Sequence, residues 1–381
     1  MGNPAIVAIE WAQLEGRRPR PAGSNARLGP HGSVVRVPLL RLTAADGACG
    51  FGACYAAPER ASELLGLPLD QLFAADQGVL PPYLPFEYAI WDLAGQRLGQ
   101  PVYALAAAVA GVPVPMQLRA PCYDTSLYFD DLRLPTDAAA ADLLAAEAGE
   151  GYARGHRAFK LKVGRGARHL PLVEGTRRDI AVIQAVRAAL GPSCALLLDA
   201  NNGYNLNLAK QVLAETADCR IGWLEEPFHE DDVLYRDLHD WLARQHLPVR
   251  LADGEGQADP RLLEWARAGL VDVLQFDIFD YGFTRWLALG RELQGSRIDI
   301  APHHYGTGYG NFAACHLAGA VPGFAYVEWD AATIVGIDDS GYVIDEGWVS
   351  VPATPGFGIT LDEGMFQHAL ARTGGKRTLA P

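Results

Sequence analysis

The stretch Ala158-Phe159-Lys160-Leu161-Lys162-Val163 reads as a strand that carries two lysines inside an apolar run. It is one of eight such runs. The others span residues 117–123, 195–199, 221–225, 249–253, 273–277, 298–303 and 325–328. Helical patterns lie between them, as at 176–190 and 260–268. Strand-like runs alternating with helical stretches predict parallel β/α units. Eight units in a row point to a closed α/β barrel of the (β/α)8 TIM type rather than an open doubly wound sheet.

Polar residues fall at the C-terminal ends of these runs. The second run holds Lys160 and Lys162, the third ends at Asp199, and the fourth at Glu225 and Glu226. Asp253 and Glu255 follow the fifth, and Asp277 ends the sixth. His303 and His304 end the seventh, and Glu328 the eighth. In a parallel barrel these ends converge on one face, where the active site is built.

The chain outside the barrel is organised differently. A barrel takes about 250 residues, which leaves room in a chain of 381 for a smaller domain. Residues 1–113 read as an α+β capping domain, 114–344 as the barrel, and 345–381 as a tail that returns to the cap. Val35-Arg36-Val37 and Leu40-Arg41-Leu42-Thr43 alternate like a strand, Asp46-Gly47 marks a turn, and a short strand follows near Phe51. The stretch 15–33, rich in Gly, Pro and Arg, reads as a long loop. Phe86, Ile90, Leu93 and Ala94 form a helical stripe, and 83–105 is expected to be a packed helix pair.

Composition narrows the function. A net charge of −13 disfavours nucleic acid, whose affinity comes largely from Lys and Arg on phosphates. An anionic substrate stays open, because a bound divalent cation reverses the local field. The six cysteines form no C-x-x-C pair and read as reduced thiols. Residues 1–10 lack a basic segment followed by an apolar core, so no secretory signal is expected. No apolar run reaches the ~18 residues of a membrane span. The expectation is a cytoplasmic protein acting on a small molecule.

Asp199, Glu225 and Glu255 lie 26 and then 30 residues apart. Packed together alone, such carboxylates repel and their pKa values rise. A hard cation with oxygen ligands resolves this, and Mg²⁺ is the natural choice. Asp253 competes with Glu255 for the third place. Strand alternation puts Lys160 and Lys162 on one face. Two adjacent, partly buried ammonium groups lower each other's pKa, and a lysine tuned toward neutrality serves as a base. Asp277 beside His303 fixes the imidazole tautomer and raises its basicity. Lys162 and His303 would then flank a central substrate, with His304 as the second choice. Gly306-Thr307-Gly308-Tyr309-Gly310 lacks the dinucleotide spacing and reads as a tight turn near the substrate. Arg17, Arg18, Arg20 and Arg27 read either as a solvated loop or as a lid meeting the substrate.

Lys160-x-Lys162, Asp199-x-Asn201, Glu225-Glu226-Pro227, Gly254-Glu255 and Pro302-His303, in this order, resemble the mandelate racemase subgroup of the enolase superfamily. Trp91-Asp92-Leu93-Ala94-Gly95 through Pro101-Val102-Tyr103 is similar to that family's capping helices, and Pro355-Gly356-Phe357-Gly358 to its C-terminal return. The resemblance implies a modified enolase barrel with one Mg²⁺ on Asp199, Glu225 and Glu255. It makes Lys162 the base, tuned by Lys160, and sets the Asp277–His303 dyad on the opposite face. Glu328 would hydrogen-bond the developing enediolate. Asn201, Tyr123, His304 and Arg27 are assigned as substrate contacts. The early loop and residues 51–55 would close over the site, and self-association into a homo-oligomer is common among such proteins.

An α-proton beside a carboxylate is weakly acidic because its removal adds a second negative charge. A metal and hydrogen-bond donors stabilise that charge where it forms. Reprotonation on the opposite face inverts the centre, whereas protonation of the β-hydroxyl by His303 expels water. The expected activity is dehydration of an acid sugar, an aldonate or aldarate, to a 2-keto-3-deoxy acid. Racemisation or epimerisation of a 2-hydroxy acid is the alternative. A cycloisomerase or dipeptide epimerase fits less well, since such relatives carry a lysine where this chain has Asp277. A non-catalytic binding barrel is disfavoured because every expected catalytic position is filled.

Overall fold

The alternation at 158–162 becomes a barrel strand in the computed structural model, which describes residues 4–379 (the side chain of residue 58 excepted). Residues 1–3 of the segment read for a secretory signal lie outside the described residues. The barrel strands are Leu118–Leu127, Ala158–Lys162, Ala195–Asp199, Ile221–Glu225, Arg250–Asp253, Val273–Leu274, Asp299–Ile300 and Val327–Trp329. The first seven pair in chain order. The eighth pairs parallel with the first, Val327 opposite Cys122. A bridge between Ile300 and Phe324 joins the seventh to the eighth and closes the barrel. The sixth and seventh strands are shorter than their apolar runs. Beyond Leu274 and Ile300 the chain leaves the regular ladder, yet Ile278 N still donates to His303 O at 2.9 Å.

The fold matches the expected class, with one modification. Beyond the cap helices α1 (Glu87–Leu98) and α2 (Val102–Ala110), seven helices follow the first seven strands. They are α3 (Asp137–Ala153), α4 (Leu172–Leu190), α5 (Leu206–Glu215), α6 (Asp232–Gln245), α7 (Leu262–Arg267), α8 (Phe283–Glu292) and α9 (Tyr309–Leu317). After the eighth strand the chain instead crosses to the cap, where Thr333–Ile334 pairs with the first cap strand.

Side chains fill the barrel in layers. One layer comprises Tyr123, Ala158, Leu197, Trp223, Ala252, Val273 and Ala301, all buried. Its alanines leave room for the two aromatic rings, which meet edge to face at 5.7 Å. Tyr123 therefore belongs to the barrel filling. Its ring lies 5.2 Å from Lys160 Nζ and does not line the cavity described below.

The cap corrects one reading. Residues 15–33 are not a long loop. Strand β1 (Ile6–Ala22) pairs antiparallel with β2 (Gly32–Ala44), leaving only 23–31 as the connection, and β3 (Cys49–Ala53) extends the sheet. Burial alternates along β1, with Leu14, Gly16 and Arg18 inside and Glu15, Arg17 and Pro19 outside. Two of the three inward positions carry Gly and Arg, so no apolar period was visible. Gly16 is required there, because a Cβ would fall 2.3 Å from Thr333 O.

Helix α1 fastens the cap to the barrel. The Glu87 carboxylate accepts from Phe283 N and Thr284 N, each at 2.8 Å, at the N-terminus of α8. A carboxylate suits those unpaired helix-end N–H groups. Trp91 Nε1 donates to Thr284 Oγ1 at 3.0 Å, and the Tyr88 hydroxyl donates to Ile278 O, one residue past Asp277. Asp92 accepts from Phe51 N and Phe357 N, both at 2.9 Å, and so joins α1, β3 and the tail. The tail divides its contacts. Trp348–Val351 pairs with the first barrel strand, while Gly375–Thr378 pairs with β1 and α10 (Glu363–Thr373) presents Glu363 to Arg41.

Glu87→Ala would orphan two buried N–H groups. It is expected to lower stability by about 3 kcal/mol in urea unfolding, and Glu87→Gln by clearly less. Equal losses for both variants would contradict this anchoring role.

Candidate active site

The second to seventh strands deliver their polar ends to one crowded point. Asp199, Glu225 and Glu255 each present a carboxylate oxygen, all within 4.8 Å of one another. Asp199 Oδ1 accepts from Asn201 N at 2.9 Å. Glu225 accepts from Lys160 Nζ and from Gln275 Nε2, both at 2.8 Å. Glu255 Oε1 accepts from Asn201 Nδ2 at 3.0 Å, while its Oε2 is buried without a hydrogen-bond partner. Burial, and next the charge of Asp199, push Glu225 up to about 8. An orphaned carboxylate oxygen within an all-carboxylate donor set fits a hard divalent cation.

The backbone places Glu255 in the carboxylate cluster and Asp253 outside it. The Asp253 carboxylate accepts from the Tyr235 hydroxyl on α6 and from Gly254 N at 2.7 Å. Burial pushes it up to about 8. Gly254, at φ 131°, then turns the chain so that Glu255 joins the cluster. A side chain at that φ would be strained. Glu226 also turns away, at φ 41°, and accepts from Asn201 Nδ2 at 3.1 Å and Asn202 Nδ2 at 3.2 Å.

The two lysines differ in surroundings. Lys160 Nζ is enclosed by Glu225 Oε1 at 2.8 Å, Glu328 Oε1 at 2.9 Å and Asp199 Oδ2 at 3.5 Å. Lys162 Nζ meets Asp199 Oδ2, stands 5.3 Å from the Tyr128 ring, and lines the cavity. Lys160 does lower Lys162, as expected of two adjacent ammonium groups, but the expected net shift of the pair toward neutrality is overturned. Burial lowers both, but Glu225 and Glu328 around Lys160, and Asp199 beside Lys162, more than offset it and hold both above the ordinary value. A divalent cation on those carboxylates would work the other way and draw Lys162 back toward neutrality.

His303 faces the cluster from the seventh strand. Its Nδ1 is 3.0 Å from Asp277 Oδ2, and its Nε2 is 3.3 Å from Glu255 Oε2. Asp277 Oδ1 accepts from Phe279 N at 2.7 Å and Asp280 N at 3.2 Å, which fixes the carboxylate. Nδ1 therefore carries its proton toward Asp277, and Nε2 is left facing the cluster. Burial opposes the imidazolium, but Glu255, Glu328 and Asp277 outweigh it and raise His303 to about 10.

Several expected contacts have other partners. Glu328 Oε1 accepts from Lys160 Nζ and from Thr125 Oγ1 at 2.8 Å, and Oε2 from His304 N at 2.9 Å and Tyr305 N at 3.1 Å. Against its burial, Lys160 and His303 hold it well below the usual carboxylate range. The hydrogen bonds of Glu328 anchor Lys160 and the 303–305 turn. The His304 ring pairs with Glu328 O and packs on Gly310, where a Cβ would fall 2.2 Å from Cγ. Asn201 spans Glu226 and Glu255. Arg27 is largely exposed, 3.8 Å from Glu226 Oε1. None of Asn201, His304 and Arg27 lines the cavity. Nor does Tyr55, whose ring packs 5.0 Å from Phe279.

The cavity above the cluster holds about 320 Å³. The cap supplies Arg18, Asn25, Leu28, His31 and Val34; the barrel supplies Tyr128, Lys162, Glu255, His303, Tyr305 and Gly306. Its size suits a small ligand. Gln275, Asn25, His31, Tyr128 and Tyr305 were missed in the sequence. Gln275 could have been found as a polar residue inside an apolar run, alternating with Asp277. Asn25 and His31 sit in a segment without periodicity and gave no signal.

Glu255→Gln is expected to weaken Mg²⁺ binding by more than about 100-fold in titration calorimetry, and Asp253→Asn by about 10-fold or less. The reverse order would move the third ligand back to Asp253.

The family described as "Enolase C-terminal domain-like" matches residues 143–365. Galacturonate dehydratase from Geobacillus sp., solved with D-galacturonate and 5-keto-4-deoxy-D-galacturonate, is 47% identical. The likeness covers 99% of this chain and 100% of that one, with a TM-score of 0.93. A mandelate racemase/muconate lactonizing protein from Geobacillus sp. Y412MC10, solved with magnesium/tartrate, is also 47% identical. There the cover is 100% and 98%, and the TM-score 0.96. D-galactarolactone cycloisomerase of Agrobacterium fabrum is 34% identical over 182 residues, which span 46% of this chain and 44% of that enzyme. With its barrel, its cap and its ordered strand-end residues, the chain belongs to the enolase superfamily, among the proteins of mandelate racemase and muconate lactonizing type.

Proposed function

We propose that this protein is a Mg²⁺-dependent acid-sugar dehydratase that removes the proton α to a carboxylate and expels the β-hydroxyl as water. One observation carries the reading. Lys162 and the Asp277-backed His303 border the same small cavity as Glu255 of the carboxylate cluster. Asp199, Glu225 and Glu255 would hold the cation, whose positive charge, when bound, stabilises the dianion formed on the substrate carboxylate.

The residues then divide the proton transfers. Lys162 Nζ takes the α-proton as the carbon–hydrogen bond breaks. His303, oriented through its Nδ1 by Asp277, gives its Nε2 proton to the β-hydroxyl as the carbon–oxygen bond breaks. The enol left behind becomes the keto acid. Lys160 is a positioning residue, since it is enclosed away from the cavity.

The sequence pointed to an aldonate or aldarate. The relative solved with D-galacturonate and its 5-keto-4-deoxy product supports a hexuronate instead. There the α-carbon is C5 and the leaving hydroxyl is on C4, so the 5-keto-4-deoxy acid is the uronate counterpart of a 2-keto-3-deoxy acid. Epimerisation is the second reading, since two proton-transfer groups on one cavity also suit inversion. All six cysteines stand unpaired, which supports a reducing, cytoplasmic setting.

The test is incubation with Mg²⁺ and a panel of acid sugars and hydroxy acids in D₂O. Wild type is expected to form a keto acid from a hexuronate. His303→Asn should retain α-deuterium exchange while losing keto-acid formation, and Lys162→Ala should lose both. Exchange with inversion and no keto acid would establish the epimerase instead. Undiminished exchange in Lys162→Ala would remove Lys162 as the base.

A further inference from the structure

Proton transfer accounts for the barrel wall of the cavity. The cap wall carries a different arrangement of charge. Arg18 is the one arginine or lysine that the cap places on the cavity among the described residues. Its guanidinium is already engaged. Nε donates to Asp330 Oδ1 at 3.0 Å and Nη2 to Asp330 Oδ2 at 2.8 Å, a two-point pairing. Nη1 donates to Gly32 O at 3.3 Å, and the group lies 4.4 Å from the Tyr305 ring centre. Asp330 is held in turn. Its backbone N donates to Asn311 Oδ1 at 3.1 Å, its carbonyl accepts from Asn311 Nδ2 at 2.9 Å, and Ala332 N donates to its Oδ1 at 3.2 Å. Arg18 and Asp330 are both buried, so the pair cannot separate without leaving an uncompensated charge.

The neighbours of Arg18 offer polar atoms without charge. His31 Nδ1 lies 2.9 Å from Gly23 O. A carbonyl can only accept, so Nδ1 carries the hydrogen and Nε2 is left as an acceptor. Burial, with Lys162 and Arg18 nearby, keeps the ring neutral by lowering its pKa. Tyr305 Oη is buried without a hydrogen-bond partner. Arg27 faces Glu226, and neither it nor Arg17 or Arg20 lines the cavity.

We propose that the cap side of the cavity is a hydroxyl-reading subsite in which Asp330, by neutralising Arg18, selects a sugar monoacid and rejects the diacid of the same configuration. The proposal rests on the dehydratase reading for one point, that the reacting carboxylate sits at the barrel cluster and the far end of the substrate faces the cap. A second carboxylate there would meet a spent cation, an acceptor nitrogen on His31 and the nearby charge of Asp330. Specificity of this kind comes from rejection as much as from attraction. The tartrate bound by the Geobacillus sp. Y412MC10 relative does not conflict. Aligned from the reacting carboxylate, its four carbons reach only C3 of a hexuronate.

Galacturonate and galactarate differ only in the oxidation of C1, so they make a matched pair. Turnover with Mg²⁺ and Mg²⁺-dependent binding by calorimetry are both measured, so a failure of catalysis does not hide the selectivity. Wild type is expected to prefer galacturonate by about tenfold or more. Asp330→Asn keeps the size of the side chain and frees the charge of Arg18. It should shift the ratio toward galactarate by about tenfold or more. Leu28→Arg, at a residue 57% exposed, adds a free cation without touching the buried pair and should shift it the same way. The proposal is overturned if wild type handles the diacid as well as the monoacid. It is also overturned if both variants fold and neither moves the ratio, or if neither acid binds. No turnover of either acid, with the binding preference intact, would count against the dehydratase reading and leave the subsite standing.

Discussion

Three carboxylates brought within 4.8 Å at the mouth of a barrel form the constraint on which the rest of the site depends. At that spacing each pair repels by about 3 kcal/mol for an effective dielectric near 20. Two of the three are fully buried, so water relieves little of it. The surroundings answer with positive charge and donors. Lys160 lies against Glu225, Glu328 and Asp199, Lys162 against Asp199, and His303 against Glu255. Gln275 and Asn201 supply neutral donors to Glu225 and Glu255. The same arrangement fits a divalent cation and sets proton-carrying groups beside it.

The second dependence is mechanical. The Asp277–His303 dyad belongs to the barrel, but the turn that follows it is tied to the cap. Tyr88 holds Ile278 O, and Glu87 caps the helix that begins at Phe283. The cavity is likewise shared, with its cap wall drawn from β1, β2 and the 23–31 connection. Cap and barrel thus form one site, and a loosened α1 would disturb the dyad and the cavity wall together.

What the sequence disclosed follows from periodicity. Barrel strands buried on both faces read as apolar runs, and a charged residue ending such a run stands out. Asp199, Glu225, Lys162, Asp277 and His303 were legible for that reason. That Glu255 rather than Asp253 joins the carboxylate cluster depends on φ at Gly254, a backbone property that residue types do not display. β1 was hidden because its inward positions include Gly16 and Arg18, one chosen for close strand approach and the other for a buried ion pair. His31, Tyr128 and Tyr305 reach the cavity through tertiary placement alone. The anchoring partners of Glu328 and the place of Tyr123 in the barrel filling likewise emerge only from the packed structure.

The central claim is that one substrate carbon lies between Lys162 and His303 while its carboxylate meets a cation on Asp199, Glu225 and Glu255. A crystal structure of His303→Asn with Mn²⁺ in place of Mg²⁺ and a bound hexuronate tests it most directly, because anomalous scattering locates the metal independently. The expected result is one metal peak at those three carboxylates, with the α-carbon between Lys162 Nζ and the side chain of residue 303. A metal held by Asp253, or an α-carbon out of reach of Lys162, would contradict it.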